Sequence, residues 1–315
     1  MQVHRILVRP RGPWATPWHA DTIWGSLCWA LRDLEGGSAL SDFLDDSAGA
    51  APPLIVSDAF PGDLLPFPHG APFDFVENEK VKPHWCEAPA FMTWAEGRMP
   101  SITLPRDRQL PYKPYSLLRA QRNRVTDAAE EGKLFEIDQF SFNLAMFPDG
   151  GYLTIYFRCA EDFAPRLAAC WEVLAARGFG KRASVGLGAF EILGSLEACD
   201  RFVINDEHDG FVALSHFVPA KADPQDGYWT VRSKNPKFSV QHGHHFLKGN
   251  LLMLTPGSRF RTRARPSAFY GRMLSMPRQN FEKALHYGLC FVAPVAWGDN
   301  GRTKPGDHAQ IRAGC

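Results

Sequence analysis

Stretches of apolar and polar residues divide this chain into two sets of elements. Val3–Val8 (VHRILV) alternates and reads as a first strand, closed by Pro10 and Pro13. Ile23, Leu27, Leu31 and Leu34 fall on one helical face, so a helix is expected from an Asp21 N-cap to Leu34, stopped by Gly36–Gly37. A second strand starts at Leu54–Ser57, and Pro61, Pro66, Pro68 and Pro72 then oppose regular structure. From about Glu77 to Gly132 no period is sustained, and so long an insertion is either an assignment error or a functional protrusion. Leu134–Phe142 alternates again. With the turn Pro148–Gly151 and the apolar run Tyr152–Cys159 it predicts a hairpin. Asp162 is the expected cap of a helix to Arg177 with Phe163, Leu167, Trp171 and Leu174 on one face, and Ala189–Leu193 is a closing strand.

The order β–α–β, insertion, β–α–β is the split βαβ order of a ferredoxin-like unit, an antiparallel sheet with two helices on one face. After about Ser195 a second set begins: strands at Phe211–Val218, Tyr228–Arg232, Leu251–Leu254 and Leu289–Val295, and a short helix near Pro277–Leu285. The expected fold class is therefore α+β, with two ferredoxin-like domains. They are assigned to 1–194 (insertion about 77–132, Gly-rich loop 178–188) and 195–297, with a flexible tail at 298–315.

Composition narrows this picture without redirecting it. A length of 315 residues suits two domains, and no apolar run reaches the length of a bilayer-spanning helix. The seven cysteines form no CxxC pair, and Cys28 and Cys290 lie inside apolar runs, as small core residues of a reducing compartment do. A cytoplasmic location and no membrane contact are the corresponding expectations. A net charge of +1 conceals local segregation of charge.

The clearest chemistry lies in GFGKRASVGLGAF, Gly178–Phe190. Four glycines surround Lys181, Arg182 and Ser184 between a helix and a strand. Such a loop frees backbone N–H groups to approach an anion, and the two cations add charge, so a phosphate-bearing ligand is the natural occupant. The order helix–loop–strand is the reverse of both the Walker loop and the dinucleotide fingerprint, and the glycine spacing fits neither. A plain helix C-cap at Gly178 followed by a connector is the alternative.

Inside the insertion, Arg106, Arg108, Lys113, Arg119, Arg122 and Arg124 are interleaved with Tyr112, Tyr115 and Leu117–Leu118. Cations to neutralise phosphates beside side chains able to wedge against bases suit single-stranded RNA, and a solvated basic loop is the alternative. Arg119, Arg122, Asn123 and Arg124 are the candidate contacts. Three histidines in QHGHH, Gln241–His245, lack nearby cysteine or carboxylate ligands, so no metal is assigned there. Arg259, Arg261, Arg263 and Arg265 alternate as if along one strand face.

The Gly-rich loop resembles the signature loop of the RAMP superfamily of CRISPR-associated RNA-binding proteins. DTIWGSLCWAL (Asp21–Leu31), PPLIVSDAFP (Pro52–Pro61), RNRVTDAAEEGKLFEIDQFSF (Arg122–Phe142), FVALSHFVPA (Phe211–Ala220), TPGSRF (Thr255–Phe260) and HYGLCFVAPV (His286–Val295) are similar, in order, to stretches of the type III-A subunits that cap the 5′ end of the crRNA.

The resemblance implies a non-catalytic scaffold with two RAMP folds and no cofactor. Such a subunit holds the repeat-derived 5′ tag and joins a large polymerase-like subunit to a backbone RAMP subunit. A hairpin thumb meets the target RNA only indirectly, at the tag–guide junction. Gly180, Lys181, Arg182, Ser184, Gly186 and Gly188 would bind tag phosphates, with His19 nearby. The competing expectations are a stand-alone metal-independent endoribonuclease acting through His19, or the corresponding subunit of another type III subtype.

Overall fold

The computed structural model describes residues 1–71, 74–75, 84–98, 101–102, 110–122, 125–126, 129–236, 249–276 and 284–297. In chain order the first half comprises β1 (Gln2–Pro10), α1 (Ala20–Ala48), β2 (Leu54–Val56), β3 (Phe60–Pro61), α2 (Ala88–Ala95), β4 (Tyr112–Arg122), β5 (Ala129–Phe142), β6 (Leu153–Cys159), α3 (Ala164–Arg177) and β7 (Phe190–Ala198).

Its main sheet is antiparallel, in the order β7-β1-β6-β2, and β3 also pairs with β6. Ile6 lies opposite Ile155, Val8 opposite Ile192 and Phe157 opposite Val56. β6 is buried along its whole length because both of its faces are covered. Phe157 packs edge-on against Trp171 of α3, and its neighbour Tyr156 packs against Phe202 and Phe291 of the second half. A strand enclosed in this way has no polar face to present, so its sequence runs apolar rather than alternating.

The expected hairpin of Leu134–Phe142 with Tyr152–Cys159 is therefore corrected. β5 pairs instead with β4 in a long two-stranded ribbon, Tyr112 opposite Phe142 and Arg119 opposite Phe135. Alternation belongs to the ribbon strand and continuous burial to the sheet strand. The ribbon thus begins well inside the expected insertion and ends ten residues beyond it. The insertion also holds α2, whose Phe91 and Trp94 enter the core. Leu64–Pro66 pairs with Trp85–Glu87, and Phe60–Pro61 is itself strand, so the prolines there did not exclude pairing.

Two helix termini also differ from expectation. α1 starts at Ala20 with His19 as N-cap, placing Asp21 inside the first turn, and α3 has Phe163 rather than Asp162 at its N-cap. Gly36, with φ 92° and ψ 179°, bends α1 where a stop was expected, and helical turns resume to Ala48. Phe43 on the resumed part stacks between Trp24 and Phe163, and that burial offsets the cost of the interruption. Ile23, Leu27 and Leu31 are buried as expected, whereas Leu34 is exposed.

The second half adds β8 (Gly210–Ala213), β9 (Gly227–Tyr228), β10 (Val231–Lys234), β11 (Leu251–Leu254), β12 (Arg259–Arg261), β13 (Phe269–Gly271) and β14 (Leu289–Val295). The sheet order is β9-β12-β8-β14-β13, antiparallel, with β10 and β11 forming a separate ribbon. Among the described residues this half contains no helix. Residues 277–283 of the expected helix lie outside the described residues, and Leu285 is in a short strand. One core runs from the first sheet into Val212, Leu214, Leu289 and Phe291; a smaller cluster forms around Phe211, Phe217, Phe260 and Val292.

The arginine stripe is broken. Arg259 is buried, its guanidinium stacked 4.2 Å from the Trp297 ring and donating to the Gly70 carbonyl at 3.0 Å. Arg263 adopts φ 61°, which ends the alternation, and Arg265 pairs with Asp206.

Candidate nucleic-acid interface

The Gly-rich loop leaves α3 at Gly178 and returns to β7. Phe179 is fully buried and stacks on Trp18 with ring centroids 3.8 Å apart, which fastens the loop to the segment before α1. Gly180 passes so close to Thr16 that a Cβ would lie 2.5 Å from its side chain, and the Lys181 N–H donates to Thr16 Oγ1 at 2.7 Å. At Gly188 a Cβ would meet the Phe179 carbonyl oxygen at 2.1 Å, and its N–H donates to the Pro13 carbonyl at 2.9 Å. These glycines are required by close backbone approach, a structural reason rather than a ligand one.

The loop's backbone donors divide into two groups. The N–H groups of Gly178, Phe179, Lys181, Val185, Gly186, Leu187 and Gly188 are bonded within the protein. Gly186 and Gly188 are thereby corrected as backbone donors to a ligand. Those of Gly180, Arg182, Ala183 and Ser184 have no acceptor among the described residues. Arg182 is left-handed (φ 65°, ψ 25°) and is followed by the tight turn Ala183–Val185. A left-handed residue adjoining right-handed ones turns successive N–H groups into a concave anion nest. Lys181 and Ser184 are exposed beside it. Arg182 is half-buried, and its guanidinium carbon lies 5.0 Å above the Phe135 ring of the ribbon.

The ribbon is anchored at its root and bare beyond it. Trp14 pairs with Phe140 through two backbone hydrogen bonds of 2.8 and 3.1 Å, and its ring packs against Tyr112 and Phe142. Tyr112 is thus a packing residue. Further out, Leu118, Leu134 and Val125 are 56%, 62% and 93% exposed, beside exposed Tyr115 and Arg119. Arg122 lies at the end of β4, and its side chain, together with Asn123, Arg124, Arg106 and Arg108, lies outside the described residues. So do the three histidines of residues 242–245 and the expected tail.

His19 belongs to a different environment. Its side chain makes no capping bond; instead Asp58 Oδ1 accepts the Ala20 N–H at 2.8 Å, capping α1 from another element. The same oxygen accepts the His216 N–H at 3.2 Å, and Asp58 Oδ2 lies 2.5 Å from His216 Nδ1. The His19 and His216 rings lie 4.2 Å apart, and Lys234 Nζ is 3.5 Å from His19 Nδ1 and 2.6 Å from the Asp21 carboxylate. His286 Nε2 approaches Asp21 at 3.5 Å.

Burial, then His216 and Lys234, hold the His19 pKa well below the ordinary value of 6.5. For Asp21 burial acts to raise the pKa, but Lys234, His286 and His19 outweigh it and leave it lowered. Ligand atoms of His19, Asp58 and His216 lie within 4.8 Å of one another, a metal-like grouping. Both Asp58 oxygens are already engaged, however, and Lys234 and Arg232 face His19 with positive charge. The arrangement is a closed clamp between the halves. No spacing in the sequence joins positions 19, 58, 216 and 234; only the fold brings them together.

No family model matches this sequence, and no curated protein matches it. Solved structures do. The chain matches a component of the Csm1–Csm4 cassette in complex with AMPPNP (TM-score 0.58, 17% identity, 93% of this chain and 98% of that one). It matches a component of the same cassette with cA4 (TM-score 0.56, 18% identity, 93% and 98%). It also matches a component of the Csm3–Csm4 subcomplex of the type III-A CRISPR–Cas interference complex (TM-score 0.61, 13% identity, 92% and 99%). At such identities the likeness is one of fold, and the class it defines is an α+β fold shared with a component of these type III-A assemblies. Csm4 is the component these complexes share, and the fold of this chain is Csm4-like along nearly its whole length.

Proposed function

We propose that this chain is the Csm4-like subunit of a type III-A CRISPR effector, an RNA-binding scaffold without catalysis of its own. In this reading it holds the crRNA 5′ repeat tag on the Gly-rich loop. It bridges a large polymerase-like subunit to a backbone RAMP subunit and sets its ribbon as a thumb beside the tag, in the cytoplasm, for antiviral defence. The observation that carries the proposal is the end-to-end match to the component common to complexes containing Csm1 and Csm3.

The anion nest at Arg182–Ser184, with Lys181, supports phosphate binding, and the exposed apolar and basic outer ribbon supports contact with unstacked bases. The sheet order β7-β1-β6-β2 supports a ferredoxin-like first unit, and the second sheet is read as its degenerate counterpart. The endoribonuclease alternative needs two groups flanking a phosphodiester. His19 and His216 lie 4.2 Å apart and are engaged with Lys234 and Asp58, which supports a structural role for them.

The test is affinity capture of the tagged chain from its native host, with sequencing of bound RNA. Short RNAs sharing one repeat-derived 5′ end, together with a large polymerase-like protein and RAMP subunits, are expected. Protein alone, or RNAs with no common end, would refute the proposal.

A further inference from the structure

Arg182 occupies an unusual position for a phosphate ligand. Its backbone is left-handed at φ 65°, a conformation that a non-glycine side chain adopts only when its surroundings fix it. Its Nε is buried with no hydrogen-bond partner among the described residues, and its guanidinium carbon sits 5.0 Å from the centroid of Phe135. Phe135 belongs not to the loop but to the ribbon, opposite Arg119 and on the same ribbon face as the buried Ile137 and Gln139. Phe135 is 36% exposed at the outer end of that face, against 62% for Leu134 on the other.

From this geometry we infer that Phe135 is a positioning residue for Arg182, so that the anion site is assembled from the Gly-rich loop and the ribbon together. The ligand class is the phosphodiester of single-stranded RNA, and this step rests on the RNA-binding reading above. A guanidinium stacked on an aromatic face is held in one plane with its edge nitrogens left for a bidentate contact to phosphate. The ring compensates the desolvated stem and removes rotamers that a free arginine would lose on binding. Nest N–H groups from the backbone and the edge of Arg182 then address one anion. Because Phe135 is covalently part of the ribbon, occupancy of the loop and the placement of the ribbon become coupled.

The test compares wild type with Arg182→Asn, Phe135→Leu, their double variant and Phe135→Tyr. Asparagine tolerates the left-handed backbone, so the first variant removes the guanidinium without straining the loop. The probe is a repeat-derived single-stranded RNA titrated at several salt concentrations.

Arg182→Asn is expected to weaken binding about tenfold and lower the salt slope by about 0.7, the loss of one phosphate contact to a single strand. Phe135→Leu should reproduce most of both effects, the double variant should be no worse than Arg182→Asn, and Phe135→Tyr should bind as wild type. Additive losses, or an unchanged salt slope in Phe135→Leu, would overturn the positioning role. A second readout requires no RNA: the Arg182 Nε–H exchange rate by NMR should be slow in wild type and fast in Phe135→Leu. Equal rates in the two would show that the ring does not hold the arginine. Wild type that binds no RNA refutes the RNA reading, and with it the role of Phe135 toward phosphate, whereas the exchange rates report on the stacking alone.

Discussion

The Gly-rich loop and the junction of the two halves lie side by side, joined through Thr16–His19, yet they use their polar groups in opposite ways. At the junction nearly every group is spent on another: Asp58 on Ala20 and His216, Lys234 on Asp21. In the loop, seven backbone N–H groups fix the turn, those of Gly180, Arg182, Ala183 and Ser184 have no acceptor among the described residues, and Lys181 is exposed beside them. Both regions are rich in charge and in histidine, lysine or arginine, and composition alone would nominate either as a site. Satisfaction distinguishes them. Buried polar groups closed on each other stabilise a fold, while unsatisfied donors on a rigid frame are available to a ligand.

This comparison breaks most visibly if Asp58 is replaced. Asp58→Ala leaves the Ala20 and His216 N–H groups and the His216 ring without their partner in a buried setting, so a loss of about 3–5 kcal/mol is expected in denaturant unfolding. Asp58→Asn retains a capping oxygen and should lose less. A loss below about 1 kcal/mol for the alanine variant would mean that the clamp is not structural.

Within the loop, Gly188→Ala should be the most damaging change, because the added Cβ meets a backbone oxygen that cannot swing away. Gly186, at φ 90° with nothing within 4 Å of an added Cβ, isolates the conformational part alone, about 1–3 kcal/mol. Gly188→Ala is expected to exceed Gly186→Ala on the same unfolding assay. The reverse order would show that the close approach to Phe179 is dispensable.

The pH dependence follows from His19. Its folded pKa lies below the unfolded value near 6.5, so the unfolded chain takes up the proton first as the pH falls. Stability is therefore full above about pH 6.5 and declines below it with a slope approaching one proton, about 1.4 kcal/mol per pH unit. Asp21, with its lowered pKa, adds a further loss only in the acid range below its ordinary 3.8. His19→Gln should flatten the slope between pH 6.5 and 5 while leaving the acid limb; an unaltered slope would assign that proton elsewhere.

What the sequence made legible follows the same division. α1, β6, α3 and β7 are local patterns, and their apolar faces specify them, so the βαβ order and the Gly-rich loop could be read directly. The partner of Leu134–Phe142 could not. An alternating strand announces two faces but not its neighbour, and Tyr112–Arg122 alternates only weakly, with a proline within it. Aspartate before a helical period is the usual cap signal, and it points to Asp21. The actual cap arrives from Asp58, 38 residues away, which no local rule contains. Arg259 looked like a surface stripe until its cage of Trp94, Tyr228 and Trp297 was assembled from three distant segments.

The smallest effect on stability is expected at a residue of the proposed RNA site. Lys181 is exposed, and its backbone N–H, not its ammonium, makes the bond to Thr16. Lys181→Ala removes a solvated charge and no packing, so stability should stay within about 0.5 kcal/mol of wild type. RNA affinity should nonetheless fall, with the salt slope reduced by about 0.7 and by the same amount for unrelated single strands, because phosphate contacts carry no sequence. That pattern is the converse of Asp58→Ala, which should unfold more easily yet bind RNA with an unchanged slope while folded. If Lys181→Ala instead loses stability and keeps its salt slope, the exposed charge is part of the frame, and the distinction between a closed clamp and an open nest fails at its plainest point.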